Sequence, residues 1–319
     1  MIRKLGLWSL SGLVGLIAAL GLLTVIPHPV VDDHPWKTDE TLVIAHAGGK
    51  GVMPDNTLKA FRYAHSIGAV LEMDVQITQD EVLITRHGEN NTGNLRDLTQ
   101  CDLVAWEHKY EYLYENCNAA YHYRVGETTP YQELTFDEWV AEEVHITTVE
   151  EIFQTFGDST LYVIEIKADA DAPRTRPAEL LAELIIKYGL EQHVLVASFH
   201  DDIMDYFAAN YPQLYLNAST SPTRSMVLHS YSFSTIFYRD DRFVAISVPT
   251  SYGFPVINRI YLDNRFVTNG ISRLNVGTHY WTINDPDVMR HLLDIGADGI
   301  ITDYPELLQQ IIEERKSGS

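Results

Sequence analysis

The chain has 319 residues, 45% of them hydrophobic, and a formal net charge of −21 from 44 acidic against 23 basic residues. That length and apolar content suffice for one large buried core and argue against a disordered chain. The charge argues against a nucleic-acid partner, since the protein's own field would oppose counterion-release binding, although a bound divalent cation could invert the sign locally for an anionic phosphodiester.

Residues 5–27 are apolar and almost uncharged, with Arg3 and Lys4 before them and Asp32, Asp33, Asp39 and Glu40 after. About 20 apolar residues cross a bilayer, and basic residues on the near flank keep that end in the cytoplasm. The stretch 1–27 therefore reads as one transmembrane anchor. A cleaved signal peptide is the alternative, but it would have an apolar region of roughly 7 to 15 residues and a small-residue cleavage site, which does not follow Leu23. Either reading sends the rest of the chain across the membrane and predicts an extracytoplasmic catalytic domain, periplasmic in a bacterium. Residues 28–40 read as a linker.

Short apolar and β-branched runs follow at 41–46, 70–77, 82–87, 161–167, 194–199, 214–218, 243–248, 276–283 and 299–303. Helical spacing appears at 57–67, 148–156, 177–188, 201–210 and 286–293. This alternation predicts an α/β fold of the (β/α)8 TIM-barrel type over 41–315, with an open doubly wound sheet as the alternative. Nine runs compete for eight places, so one of them, with 243–248 as the candidate, is either a strand outside the barrel or not a strand. Residues 88–146 break the alternation. They hold Tyr110, Tyr112, Tyr114, Tyr121, Tyr123 and Tyr131 with both cysteines, and read as a small inserted subdomain. Its tyrosines either shape substrate access at the catalytic face or form the insert's own core. Pairing of Cys101 with Cys117 is left open.

Glu72 and Asp74 lie two apart in LEMDVQIT, so both project from the same side of a strand. Two carboxylates so close repel each other unless they share a proton or a cation. LYVIEIKAD repeats the device with Glu165 and Lys167. Three acids from two buried strands suggest a site for one hard divalent cation, Mg²⁺ or Ca²⁺, with a solvated acidic edge as the plainer reading. His46 and His87 end strand-like runs and are followed by glycines, where barrel strands present groups to the reaction zone. Two imidazoles flanking a cation could remove and return the protons that phosphodiester cleavage requires. His65, His108, His122, His145, His229, His279 and His291 read as structural.

The run IAHAGGKGVMPDNTLKAFRYAHSIGAVLEMDVQITQDEVLITRH resembles the opening signature of the glycerophosphodiester phosphodiesterases. The resemblance continues through TTVEEIFQTF, IEIK, VASF, YWTIND and GADGIITDYP, spanning 42–308 and loosening across the insert and 221–277. It implies that Glu72, Asp74 and Glu165 hold the metal, that His46 and His87 form the acid–base pair, and that Lys167 neutralises a phosphate oxygen. Trp281 would line the pocket beside the organic part of the substrate. The implied reaction is metal-dependent hydrolysis of a glycerophosphodiester to glycerol 3-phosphate and an alcohol. Lysophospholipase D or phospholipase-like action on lipid substrates is the alternative within enzymes, and a non-catalytic, membrane-anchored phosphodiester-binding protein is the alternative outside them. Two positions depart from the usual pattern. Ala47 stands where an arginine commonly clamps phosphate, and Gly88 where an aspartate commonly follows the second histidine; loss of the guanidinium removes an oriented, bidentate contact. No Walker A motif or nucleotide fingerprint is present, so no cofactor other than metal is expected.

Overall fold

The computed structural model describes residues 34–87, 104–167, 174–254 and 258–318, together with Gly15. Eight parallel strands close on themselves: β1 (Leu42–Ala45), β2 (Val70–Ile77), β4 (Tyr162–Ile166), β5 (Val194–Ala197), β6 (Tyr215–Ala218), β7 (Ala245–Val248), β10 (Gly277–Tyr280) and β11 (Gly299–Thr302). β1 pairs with both β11 and β2, which completes the ring. This is the (β/α)8 barrel expected from the alternation of strands and helices.

The spare strand is not 243–248, which enters the ring as β7 between β6 and β10. It is β3 (Leu83–Thr85), which runs antiparallel to the far end of β2, with Val75 opposite Thr85 and Ile77 opposite Leu83. The turn between them is only five residues long, and so short a connection permits a hairpin but no parallel crossover. β4 takes one edge of β2, while β1 and β3 share the other. Two more strands, β8 (Ser251–Phe254) and β9 (Asn258–Tyr261), form a separate hairpin beyond β7.

Period-two alternation divides the core into two shells. Leu71, Met73 and Val75 of β2 face the helices, among them α1 (Leu58–Ser66) and α4 (Val149–Phe156). Val70 faces the axis with Ile44, Val163, Leu195, Ala245 and Ile301 in an apolar layer near the N-terminal ends of the strands. Trp36 closes this layer from below. It is fully buried, its carbonyl accepts from His279 Nε2 at 2.9 Å, and Gly277 lies so close that an added Cβ would stand 2.0 Å from the Trp36 oxygen. Residues 34–38, expected as linker, are thus the floor of the barrel. His279 is structural as expected, with burial driving its pKa down to about 4.

The predicted helices include α5 (Arg176–Tyr188), α6 (Asp201–Asn210) and α9 (Pro286–Ile295), and besides the insert's helices three among the described residues lie outside the predicted set: α7 (Thr220–Tyr231), α8 (Arg265–Ser272) and α10 (Pro305–Gly318). α7 has the sequence TSPTRSMVLHSY, whose polar residues and Pro222 obscure the helical period. In the insert, α2 (Tyr110–Asn116) places Leu113 in a small core with Ile84, Ala105, Cys117 and Ile146, whereas α3 (Phe136–Ala141) buries none of its residues. Its aromatic neighbour is Tyr110, which packs against it and lies beside Tyr114, while Tyr123 lies beside Tyr131. Cys117 is disulfide-bonded, and the chain's other cysteine, Cys101, lies outside the described residues, as does Gly88. Among the described residues no helix is long and apolar enough to cross a membrane; the 5–27 stretch lies outside them apart from Gly15.

Asp298, just before β11, is buried and accepts the Thr278 N–H at 2.8 Å. Burial drives its pKa up to about 7, against the opposing pull of the Thr278 bond and the Lys37 ammonium. A carboxyl raised in the folded state contributes stability that is fully present below its unfolded pKa and is lost as pH rises through the folded value. The urea-unfolding free energy should therefore fall between about pH 4 and pH 7, on the order of 1.4 kcal/mol per pH unit at steepest. Asp298→Asn should remove that part of the slope; an unchanged slope would mean that Asp298 is ionised throughout.

Candidate active site

The axis changes character one step above the apolar layer. Glu72 and Asp74 follow Val70 on the inward side of β2, and Glu165 follows Val163 on β4. β2 and β4 pair in register, with Asp74 opposite Glu165, so neighbouring strands deliver their carboxylates to one place. One oxygen from each of Glu72, Asp74 and Glu165 lies within 4.8 Å of the others. Glu72 and Asp74 are buried, and Glu165 is partly so.

Each acid is held from behind. The Ala47 N–H donates to Glu72 Oε2 at 2.7 Å. Ala47 occupies left-handed backbone (φ 48°), and Gly48 beside it (φ 83°) has no space for a Cβ, which would meet Ala60 at 2.7 Å. The turn after β1 therefore needs glycine at 48 to aim the Ala47 N–H inward. Asn56, also left-handed, accepts the Asp74 N–H at 3.2 Å and donates to Asp74 Oδ2 at 3.4 Å. Lys167 reaches Asp74 Oδ1 at 3.0 Å and Glu165 Oε1 at 2.7 Å.

Burial raises the pKa of Glu72, with the Asp74 and Glu165 charges adding to it against His46 and the Ala47 N–H. Burial also raises Glu165, against the pull of Lys167. For Lys167, burial would lower the pKa, but Asp74 and Glu165 outweigh it and the ammonium is held above its usual range. Three acids against one lysine leave a deficit of positive charge, and every donor in the set is a carboxylate oxygen. The residues present fit a hard divalent cation and give no reason to expect a thiophilic one.

His46 and His87 both reach the same mouth. His46 follows β1, and its Nδ1 lies 2.6 Å from Asp303 Oδ1 at the end of β11. Asp303 is fixed in turn by Asn284, which donates to Oδ2 at 2.6 Å and accepts the Asp303 N–H at 3.0 Å. Burial opposes protonation of His46, but the Asp303 bond and the Glu72, Asp303 and Asp74 charges outweigh it, raising the pKa to about 9. His87, beyond β3, is shifted the other way: burial lowers it, and Lys167, Lys50 and His46 add to the effect against Asp74. His87 thus arrives from outside the ring, on the antiparallel strand rather than on a third barrel strand.

Phe199 and Trp281 form the apolar wall. Their rings meet edge-on with centroids 5.7 Å apart, and Lys167 Nζ lies 5.9 Å from the centre of the Phe199 ring. The insert reaches the rim opposite, where the Tyr123 hydroxyl donates to the Val52 carbonyl at 2.6 Å.

All seven residues proposed from the sequence lie around this mouth, but four others had been given no role. Phe199 could have been found by continuing the alternation Leu195, Ala197, Phe199 along one strand. Asp303, Asn284 and Asn56 sit in motifs already noted, yet their parts depend on contacts between distant segments; Asp303 is 257 residues from His46.

The glycerophosphoryl diester phosphodiesterase family matches residues 46–307. The chain belongs to that family. It is 28% identical over 287 residues to a glycerophosphodiester phosphodiesterase of Caldanaerobacter subterraneus subsp. tengcongensis, covering 88% of this chain and all of that one. Among solved structures it superposes on the glycerophosphoryl diester phosphodiesterase domain of a Mycobacterium tuberculosis protein with a TM-score of 0.68, at 16% identity over 86% of this chain and 100% of that one. An Oleispira antarctica phosphodiesterase solved with its product sn-glycerol-3-phosphate gives a TM-score of 0.60 at 17% identity, covering 86% and 97%. The chain is thus a phosphoric diester hydrolase of the glycerophosphodiester phosphodiesterase type.

The Asp303 contact makes a separable prediction. In metal-free protein followed by NMR, Asp303→Asn should move the His46 titration from about 9 toward its ordinary value near 6.5, and hydrolysis should slow by about 10²-fold, as for loss of a positioned proton carrier. An unmoved His46 titration would show that Asp303 does not govern the ring.

Proposed function

We propose that the protein hydrolyses glycerophosphodiesters to glycerol 3-phosphate and an alcohol, using one divalent cation, Mg²⁺ or Ca²⁺, held by Glu72, Asp74 and Glu165. The observation that carries this reading is the convergence of the three carboxylates beside Lys167 and between two histidines whose pKa values are driven apart. A cation bound there would supply Lewis-acid polarisation of the phosphoryl group. Lys167 would release part of its hold on Asp74 and Glu165 to neutralise a phosphate oxygen. His87, held below its ordinary pKa, suits removal of a proton from water or from a neighbouring glycerol hydroxyl. His46, kept charged and oriented by Asp303, suits donation to the departing alcohol. Phe199 and Trp281 would exclude water beside the leaving group. The product seen in the Oleispira antarctica relative supports glycerol 3-phosphate as the common product.

The membrane belongs to the same reading. The apolar stretch 5–27 with its basic flank would act as an uncleaved anchor and place the barrel outside the cytoplasm.

Release of glycerol 3-phosphate from glycerophosphocholine should require added Mg²⁺ or Ca²⁺, stop with chelator, and fall by at least about 10²-fold in Glu72→Ala. An unchanged rate in that variant would sink the metal assignment, and release only from lysolipids would shift the substrate class. A substrate with a nitrophenolate leaving group tests the proton roles, because that group departs without a proton. His46→Ala should retain much of its activity there while losing it on glycerophosphocholine, and His87→Ala should lose both. The reverse pattern would exchange the two roles.

A further inference from the structure

The described chain opens at the N-terminal end of the barrel. His34 Nε2 lies 2.9 Å from the Asn275 carbonyl, and its ring is 6.1 Å from Tyr215. Tyr215 opens β6 and Asn275 stands two residues before β10, and the strand between those two in the ring is β7. The chain entering β7 therefore hangs from the same edge at which His34 emerges.

That entering chain carries a firmly held turn. Thr235 is buried, the Ser234 N–H donates to the His229 carbonyl at 2.9 Å, and the Tyr238 ring lies 5.4 Å from His229. The Arg239 guanidinium donates to the Ile236 and Tyr238 carbonyls at 2.7 and 2.9 Å. Backbone so constrained fixes where its side chains point, and the next two residues point into solvent: Ile236 is 58% exposed and Phe237 66%, the highest value among the large hydrophobics described. Leu228, on the last part of α7, is 61% exposed. Isolated apolar side chains on a surface are ordinary, but three within ten residues, two of them on a fixed turn, mark a contact surface.

The sequence before His34 indicates what covers it. Only residues 28–33 separate the apolar stretch from the barrel, and fully extended they span about 20–25 Å. A tether that short keeps the barrel's N-terminal end against the headgroups. We propose that Leu228, Ile236 and Phe237 are the surface by which the barrel rests on the bilayer, N-terminal end down. The occupant is the lipid interface, entered by apolar side chains, with Arg239 placed at headgroup level. The proposal rests on the anchor reading of residues 5–27. Its functional consequence follows from barrel geometry: the carboxylate cluster opens at the opposite end, so the enzyme draws its phosphodiester from water and not from the membrane that holds it.

The test uses the full chain in phosphatidylcholine vesicles with a nitroxide on Phe237→Cys, and on Tyr252→Cys at the catalytic end for comparison. Collision with water-soluble nickel chelate should be at least about threefold weaker at 237 than at 252, and collision with oxygen stronger, as for a group at the acyl boundary. Equal nickel accessibility at both sites, in protein that stays with the vesicles through carbonate washing, would overturn the resting surface and leave the anchor standing. Protein that washes off would overturn the anchor and the surface together. The double variant Ile236→Asp/Phe237→Asp should hydrolyse glycerophosphocholine in detergent within about twofold of the parent while losing the contact; a larger loss would show that the turn serves the fold or the active site instead.

Discussion

Three carboxylates held together inside a barrel repel one another, and the rest of the site is arranged around that repulsion. Removing an ionised carboxyl from water is costly, and a second and third beside it add to the cost. The barrel meets this locally: Lys167 bridges Asp74 and Glu165, the Ala47 N–H takes one Glu72 oxygen, and Asn56 grips both backbone and side chain of Asp74. None of these contacts removes the deficit of positive charge. The layer below shows what a purely structural interior would contain, since Ile44, Val70, Val163 and Leu195 fill it with hydrocarbon. Replacing hydrocarbon by clustered acids one layer higher costs stability that a shared proton or a cation would offset, and such local inconsistency is a mark of function.

Much of this was legible in the chain because strand alternation is strict. Glu72 with Asp74, and Glu165 with Lys167, declare a shared face by their spacing alone. The barrel itself could be read from alternating runs, but which run lay outside it could not. Val82, Leu83 and Ile84 look like any barrel strand, and only the short turn from β2 excludes them, whereas nothing in the run 243–248 marks it as inside or outside the ring. The helix at Thr220–Tyr231 was missed because its polar residues leave no periodic stripe, and that at Arg265–Ser272 because two turns are too short for a period to stand out. The partners of the site residues were hidden more deeply. His46 and Asp303 meet because β1 and β11 are neighbours in a closed ring, a fact that belongs to closure and to no local pattern.

The departure at residue 47 acquires a physical meaning from this geometry. The position does two jobs in principle, one through its backbone and one through its side chain. The backbone job, donating to Glu72 from a left-handed turn, is independent of the residue type and is retained by Ala47. The side-chain job, clamping phosphate with a guanidinium, is given up. The carboxylate cluster therefore keeps its backbone support, and Lys167, bonded to Asp74 and Glu165, lies beside it with Phe199 on its apolar side.

The floor of the barrel has a consequence for how the chain comes to be folded. Trp36 leaves the ribosome among the first residues of the domain, but the groups that seat it, His279 and Gly277, are 243 and 241 positions later. Contacts of such sequence separation form late, because the loop must close before they can contribute. During synthesis the apolar interior stays open at one end until the last strands arrive, and a nascent chain stalled before them would expose that interior to any neighbouring hydrophobic surface.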